Sequence, residues 1–305
     1  MAEFATTGTT TTAGAPQTPG IIPAVWNGAL LNNYYEISAI PMITKRATIR
    51  KGNKLIFSLA GSVQVSKTTT NDPNNATVNY QTADLTQKEI DMDTLYNWGL
   101  EFDDITLLQT NLDLLNGEML EAASSMDEAI STDVYADIYS NAGLTLGKIT
   151  VSALNAYDYI VDLGTQLNKN KVPKRGRYVV IDYDYLGLLS KDPRFTFQPH
   201  VLENGIVEGQ RIAGMQVIAT TQLPSPKGGQ SGIFAIQNDA YGYDMQMDKI
   251  QHLDKLENSW NEAVRGRALT GYGVIRENSI CAANVTYDLT VQPNIGFEPT
   301  DSTSA

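Results

Sequence analysis

Two histidines, one cysteine and some adjacent carboxylates are the side chains that could perform nucleophilic, acid–base or metal chemistry in this sequence. His200 and His252 lie in different segments, which excludes the His-x-x-Glu-His pattern of zinc sites. Cys281 stands in the apolar stretch Ile-Cys-Ala-Ala-Asn-Val, where a small buried thiol is expected. No Gly-x-Ser-x-Gly nucleophile elbow occurs. The sequence therefore predicts neither a metalloenzyme nor a nucleophilic hydrolase.

Glycine-rich stretches and paired acids add no candidate chemistry. Residues 227–229 and 269–273 fit neither the P-loop nor the dinucleotide fingerprint, and both are typical of turns. Asp103 and Asp104 could serve acid–base chemistry or bind a divalent ion, but charge at a helix N-terminus is the favoured interpretation. No catalytic residue, metal ligand or cofactor site is predicted, and the protein is not expected to be an enzyme.

Composition narrows the class of protein. The 305 residues include 22 Lys and Arg against 34 Asp and Glu, a net charge of −12. Proteins that grip nucleic acid by its phosphates need clustered positive charge, so that class is disfavoured, although a local basic patch is compatible with the composition. The first basic residue is Lys45, and no apolar run approaches the roughly 18 residues of a membrane span. A cytoplasmic protein is expected.

The first part of the chain predicts an arm followed by a short helix. Residues 1–20 are mostly Thr, Ala, Gly and Pro without apolar periodicity, as in an unordered arm. Apolar residues then recur at helical spacing after Pro23, and Pro41 is expected to lie past the end of this helix.

A long β-hairpin is predicted next. Residues 46–66 and 78–90 have strand-like composition and are joined through a polar tip at residues 67–77. Within the outgoing arm, Lys51-Gly52-Asn53 predicts a turn. A hairpin of this length seldom stabilises itself, so we expect it to lie on another surface.

Helices and strands are mixed in the remainder. Residues 110–140 predict the longest helix, stopped by Gly143, and residues 153–167 predict a second, ended by Val172-Pro173. Strands are expected at residues 178–182, 212–219 and 232–236, and a helix at residues 253–264. The order lacks strict alternation, which indicates an α+β fold.

Charge is segregated along the chain. Residues 89–147 contain thirteen acids and no Lys or Arg, whereas residues 45–88 are predominantly basic. These segments could simply be solvated faces of one monomer. Alternatively, a basic hairpin donated by a neighbouring copy could compensate the acids. The candidate basic residues are Lys45, Arg46, Arg50, Lys51, Lys54 and Lys67, and the candidate acidic residues are Asp113, Glu118, Glu121, Asp127, Glu128, Asp133 and Asp137.

The order of these elements, with local motifs, resembles the major capsid proteins of tailed bacteriophages that share the Johnson fold, also called Hong Kong 97-like. The supporting motifs are residues 21–43, Val172-Pro173 with 177–195, Asn204-Gly205 with 211–218 and Leu223-Pro224, and residues 272–280. The match spans residues 21–290, and the order of the motifs is its strongest element.

The resemblance implies a fold with an N-terminal arm, an extended β-hairpin loop, a peripheral domain with a long spine helix, and an axial domain. The expected bounds are 1–24 for the arm, 25–44 for the N-terminal helix, 45–95 for the extended loop, 96–148 for the peripheral domain, 149–264 for the axial domain, and 265–305 for the return to the peripheral domain and the C-terminal tail.

The resemblance also implies function. Many copies would form hexamers and pentamers of an icosahedral shell around double-stranded DNA, in virions assembled in a bacterial cytoplasm. Portal and scaffolding proteins, and a decoration protein, are the expected partners; DNA would be enclosed without sequence-specific binding. A separate scaffold is suggested by the short N-terminus, and covalent crosslinking is not predicted. A decoration or tail binding module and an encapsulin-like cargo shell are the alternatives.

Overall fold

The protein is described here by a computed structural model that covers residues 38–47, 49–51, 53–60, 85–102, 112–192, 195, 206–227, 229–253 and 262–291. The predicted arm, most of the N-terminal helix, the hairpin tip at 67–77 and the C-terminal tail lie outside these ranges. The helices are α1 (Ile40–Ile43), α2 (Leu112–Ser140), α3 (Ala156–Lys169) and α4 (Tyr183–Leu189). The strands are β1 (Ile49–Lys51), β2 (Lys54–Ala60), β3 (Leu85–Asp91), β4 (Thr94–Phe102), β5 (Leu144–Val151), β6 (Arg177–Ile181), β7 (Ile206–Ile212), β8 (Met215–Ala219), β9 (Gln230–Gln237), β10 (Tyr241–Leu253), β11 (Glu262–Val274) and β12 (Ile280–Tyr287).

The base of the predicted hairpin is present as the sheet β1-β2-β3. Lys51 and Lys54 are paired across the β1–β2 turn, which confirms the turn predicted at Lys51-Gly52-Asn53. Strand β3 returns antiparallel to β2, with Ile90 opposite Leu55. The intervening residues 61–84 are outside the described part of the chain.

Pro41 lies in the first turn of the short helix α1, Ile40–Ile43. This turn is separate from the helix predicted after Pro23, whose residues up to 37 lie outside the described ranges. A proline is tolerated there because the first amides of a helix have no intrahelical acceptor. Ile40 and Ile43 are fully buried, so this turn anchors the start of the described chain in the core.

A second sheet, ordered β10-β11-β4, is antiparallel throughout. It corrects both ends of the helix predicted at residues 253–264, because Leu253 ends β10 and Val264 lies within β11. Residues 254–261 lie outside the described ranges. The period-two pattern continues along β11, where Val264 and Gly266 are buried while Arg265 is exposed. The expected boundary between residues 264 and 265 also falls inside this strand.

The third sheet has six strands in the order β5-β12-β9-β6-β8-β7. Strands β5, β12, β6 and β8 run in one direction, and β9 and β7 run in the other. Residues 212–219, predicted as one strand, are the end of β7 and all of β8, joined by Ala213 (φ 51°) and Gly214 (φ 81°). Two consecutive residues with positive φ are the geometry of a tight hairpin turn.

Helix α2 joins the second and third sheets. Its buried residues Ala123, Met126, Ile130, Val134 and Ile138 recur at steps of three and four. Met126, Val134 and Ile138 were among the apolar positions predicted for this helix, whereas the predicted Ala129 is exposed. They share one core cluster with Phe234 of β9 in the six-stranded sheet and with Tyr243 of β10. The helix therefore packs on both sheets at once.

The opposite face of the six-stranded sheet is covered by α3 and α4. Ile160 and Leu163 of α3 pack with Ile233 of β9, whose neighbour Phe234 faces α2. Because β9 is buried on both faces, its central residues form a continuous apolar run. Cys281 of β12 belongs to this second cluster and is fully buried, and burial raises the pKa of its thiol to about 12.

Candidate assembly surfaces

Lys54, one of the basic residues predicted to face a neighbouring copy, is paired within its own hairpin. Its Nζ lies 2.8 Å from Glu89 Oε2 and 4.0 Å from Asp91 Oδ1 on β3. The hydrogen bond to Glu89 raises the pKa of Lys54 above its usual value. Dividing the sequence at residue 88 into a basic and an acidic segment therefore placed Lys54 and its partners Glu89 and Asp91 in different segments, although they lie on adjacent strands of one hairpin.

Lys45 also has a partner in the same chain. Its Nζ lies 3.2 Å from Asp239 Oδ1, in the turn after β9. Partial burial acts to raise the pKa of Asp239, but hydrogen bonds from Gln237 and Lys45 keep it below its usual value. Backbone hydrogen bonds between Lys45 and residues 241 and 243 fix this segment beside β10.

Of the other four predicted basic residues, three lie within the described residues and one lies outside them. Arg46 is exposed. Arg50 and Lys51 lie on β1, the edge strand of the hairpin sheet. Lys67 is outside the described residues.

The seven predicted acids do not form one exposed row on α2. Glu121 and Glu128 are exposed, and Asp113 and Glu118 occupy the first turns of the helix. Asp133 is exposed as well, but Asp127, Asp133 and Asp137 all accept hydrogen bonds within the chain. The carboxylates of Asp133 and Asp137 bind other elements, which the count of charges along the sequence did not predict.

Two aspartates bind tyrosines of the sheet beneath α2. Tyr96 Oη of β4 donates to Asp133 Oδ2 over 2.6 Å, and Tyr241 Oη of β10 donates to Asp137 Oδ2 over 2.7 Å. Desolvation, followed by these carboxylate interactions, raises the pKa of both tyrosines above the usual value. Both hydroxyls therefore remain protonated donors that tie the helix to β4 and β10.

Asp127 links α2 to the start of the described chain. It is 9% exposed, and Ser131 Oγ donates to its Oδ1 over 3.1 Å. Burial raises the pKa of Asp127, whereas hydrogen bonds with Ser38 and Ser131 oppose the increase. The carboxylate thus holds residue 38 against the helix.

A small apolar cluster attaches the hairpin to the second sheet. It contains Leu55, Phe57, Ile90, Met92 and Ile275. Gly242 of β10 allows this approach, since a Cβ there would lie 2.5 Å from Phe57 Cζ. This contact positions the hairpin base, and the isolated glycines within strand-like runs are the sequence signal that could have indicated it.

The sheet β10-β11-β4 carries two clefts. One of about 310 Å³ lies between β4 and α2 and is lined mainly by apolar residues, including Tyr96, Leu100 and Met126. Another of about 630 Å³ is lined by Asn97, Trp98, Gln251, Arg265, Gly266 and Arg267. Among the described residues that line the larger cleft, none is His, Cys, Asp or Glu.

Neither metal-binding clusters nor membrane helices occur in the described ranges. No three His, Cys, Asp or Glu side chains in them are grouped as metal ligands would be. Within the same ranges, no helix has the length and apolar character needed to cross a bilayer.

Comparison with known proteins identifies the fold. No protein-family model and no curated protein matches the sequence. Among solved structures, one from Mycobacterium phage Che8 superposes with a TM-score of 0.56 at 18% identity, covering 76% of this chain and 85% of that chain. The capsid of cyanophage P-SCSP1u gives 0.59 at 14% identity, with coverage of 83% and 89%. A virus-like particle from Pyrococcus furiosus gives 0.55 at 11% identity, with coverage of 86% and 99%.

These likenesses confirm the α+β, Johnson-type capsid fold expected from the sequence. They extend along most of this chain and most of each matched chain, so they concern the whole arrangement of helix and sheets and not one local motif.

Proposed function

We propose that this protein is the major capsid protein of a tailed bacteriophage, which self-assembles through hexamers and pentamers into an icosahedral shell around double-stranded DNA. The observation that carries the proposal is the shared fold, which matches phage structures over more than three quarters of the chain. The expected location is the virion capsid, with assembly in the cytoplasm of the bacterial host. The role is structural, without a catalytic centre or cofactor.

The hairpin is the proposed contact with a neighbouring copy. Lys54 and Lys45 have carboxylate partners in their own chain. Arg46, Arg50, Lys51 and Lys67 are the other basic residues that we assign to the contact with the neighbour. Their counterparts are the exposed Glu121 and Glu128, with Asp113 and Glu118 on the same helix. Exposed ion pairs contribute only about 0–1 kcal/mol each, so they guide register while apolar burial provides adhesion.

The acids of α2 have a second proposed role at the inner surface of the shell. Phosphates and carboxylates repel one another across a few ångströms, so an acidic wall would prevent packaged DNA from adhering. Location of Glu121 and Glu128 on the outer surface, determined by cryo-electron microscopy of assembled shells, would contradict this role.

The remaining partners follow from the same proposal. A portal, a separate scaffolding protein and a decoration protein are expected to bind the shell, and no described contact identifies their docking surfaces. We also retain the proposed division into domains. Strand β12, which belongs there to the returning segment 265–305, pairs with β9 and β5 in the six-stranded sheet.

Electron microscopy of sedimenting material tests the proposal, after expression of the chain alone and with the neighbouring genes of its genome. Closed uniform shells support a capsid protein. A monomer or small ring under both conditions would instead support a decoration or tail module. Nuclease-protected DNA inside particles from infected cells separates a phage capsid from an encapsulin-like shell, which would contain protein cargo.

A further inference from the structure

One end of the six-stranded sheet exposes apolar side chains. Strands β5, β6 and β12 run in the same direction, so their carboxyl ends lie at one edge. The residues just beyond these ends include Leu154, Tyr183 and Leu289, which are 56%, 46% and 62% exposed. Exposed apolar groups gathered in one place are typical of an interaction surface.

Hydrogen bonds join the three strand ends into one surface. The Asp288 amide donates to the Val151 carbonyl over 2.8 Å, which connects the ends of β12 and β5. Tyr287 Oη lies 3.5 Å from Asp182 Oδ2, which connects β12 with β6. We call the residues 152–155, 182–184 and 287–290 the carboxyl-end surface.

Acidic groups surround these apolar side chains. Asp182, Asp184 and Asp288 belong to the carboxyl-end surface, and Asp158 lies in the first turn of α3, which begins beside it. Lys227, on the loop between β8 and β9, is a positive charge at this end. The surface is therefore apolar in part and negative.

The other end of the same sheet is basic. Lys169 at the end of α3 and Lys171, Lys174 and Arg175 in the connection to β6 are all exposed, and we call these four residues the basic corner. Arg211 near the end of β7 is exposed at the same end of the sheet, whose acids include Glu277 and Asp239, the latter already paired with Lys45. The positive groups predominate.

The basic corner and the carboxyl-end surface of one copy are too far apart to contact each other. They lie at opposite ends of β6, whose five residues span about 16 Å. A second copy, however, can present its basic corner to the carboxyl-end surface of the first. Contacts between two different surfaces of identical subunits are head-to-tail, and they generate a ring when the rotation closes.

We infer that the basic corner of one copy packs on the carboxyl-end surface of the next, as the head-to-tail contact that closes hexamers and pentamers. This inference rests on the proposed shell function and specifies one of its interfaces. Leu154, Tyr183 and Leu289 provide the apolar area, and the opposite charges set the orientation.

Charge exchange tests the contact. Asp184→Lys with Asp288→Lys, and separately Lys174→Glu with Arg175→Glu, should each reduce the yield of sedimenting shells at low salt at least about tenfold, because like charges then face each other. A chain that carries all four substitutions should recover assembly, since each copy supplies both surfaces. Asp162→Lys with Lys148→Glu, exposed charges elsewhere on the same unit, should assemble like the unmodified chain.

Removal of the apolar groups distinguishes a second copy from a segment of the same chain. Leu154→Ser with Leu289→Ser should abolish shells while the denaturant midpoint of the isolated subunit stays unchanged. A lowered midpoint would mean that residues of the same chain, such as 292–305, cover the surface, and would overturn the inference.

A disulfide provides direct evidence of proximity. Leu289→Cys combined with Arg175→Cys should, on oxidation of assembled shells, give a ladder of linked subunits on a non-reducing gel, while the buried Cys281 stays unreactive. Intact shells without a ladder would overturn the inference and leave the proposed function standing. If the unmodified chain forms no shells, the proposed function itself fails.

Discussion

Tyr241 of β10 and Asp137 of α2 are 104 positions apart in sequence, yet the tyrosine hydroxyl donates to the carboxylate over 2.7 Å. Asn141 Nδ2 donates to the other carboxylate oxygen over 2.8 Å. The aspartate thus connects the last turn of the helix with a strand of the second sheet. A hydrogen bond to a charged group contributes about 1.5–3 kcal/mol.

Tyr241→Phe is expected to lower the free energy of unfolding of the subunit by about 1.5–3 kcal/mol, because it removes that bond and leaves Asp137 less well satisfied. Urea denaturation of the isolated subunit measures the change. Tyr183→Phe is the control, since Tyr183 is 46% exposed and its loss should stay within about 0.5 kcal/mol. Equal effects of the two substitutions would contradict the assigned role of Asp137.

Gly266→Ala is expected to destabilise the subunit by about 1–3 kcal/mol through overpacking. A Cβ at Gly266 would lie 2.6 Å from the indole of Trp98, its cross-strand partner. Gly187→Ala is a matched control, because that helical glycine has no atom within 4 Å of the added Cβ and alanine favours helix. Urea denaturation followed by circular dichroism measures the change in stability of each variant.

Asp127 should make stability depend on pH. Burial raises its pKa in the folded state above the usual 3.8, so the folded state binds the proton more tightly than the unfolded chain does. The contribution of this group is fully present below about pH 3.8 and is lost as pH rises through the folded pKa.

Asp127→Asn tests that dependence, because asparagine does not titrate. The stability of the variant relative to the natural chain should increase as pH rises from 3.8 toward neutrality. A constant difference across this range, measured by urea titrations at each pH, would show that Asp127 does not titrate as proposed. Ser131→Ala, which removes a hydrogen bond to Asp127, should widen the pH effect.

Reversal of the hairpin charges should weaken assembly in a salt-dependent manner. Arg50→Glu with Lys51→Glu is expected to reduce the yield of shells at low ionic strength, with a smaller loss at high salt, where exposed charges are screened. Lys54→Glu adds the loss of an ion pair inside the hairpin, so it should be tested separately. Normal shells from the double variant at low salt would exclude the proposed contact.

Features that depend on neighbouring residues could be predicted from sequence. The turn after Lys51 and the helix Leu112–Ser140 follow from glycine placement and apolar spacing, and both are present. The helix predicted at residues 253–264 was wrong at both ends, which belong to the long strands β10 and β11. These two strands pair with each other, and β11 also pairs with the distant β4. The spacing of apolar residues within a short segment does not show which distant strand the segment pairs with.

Among the contacts of the candidate assembly residues, those between neighbouring strands of a hairpin could be predicted from sequence, and those between distant elements could not. The sequence identified Lys54 as a hairpin residue, and the strand register places Asp91 directly opposite it and Glu89 diagonally across, opposite Ile56. The hydrogen bond between Tyr241 and Asp137 could not be predicted from the sequence, because only the packing of α2 on the sheet brings these two residues together. A charge count therefore overstated how many acids on α2 face outward.

Because α2 buries one set of side chains against both the second and the third sheets, neither sheet keeps a complete core without it. The two halves of the chain are consequently expected to melt together, as a single calorimetric transition. Gene fragments that divide the chain after residue 143 should each yield insoluble or unfolded polypeptide. For the same reason, a destabilising substitution in either half is expected to lower the stability of the whole subunit.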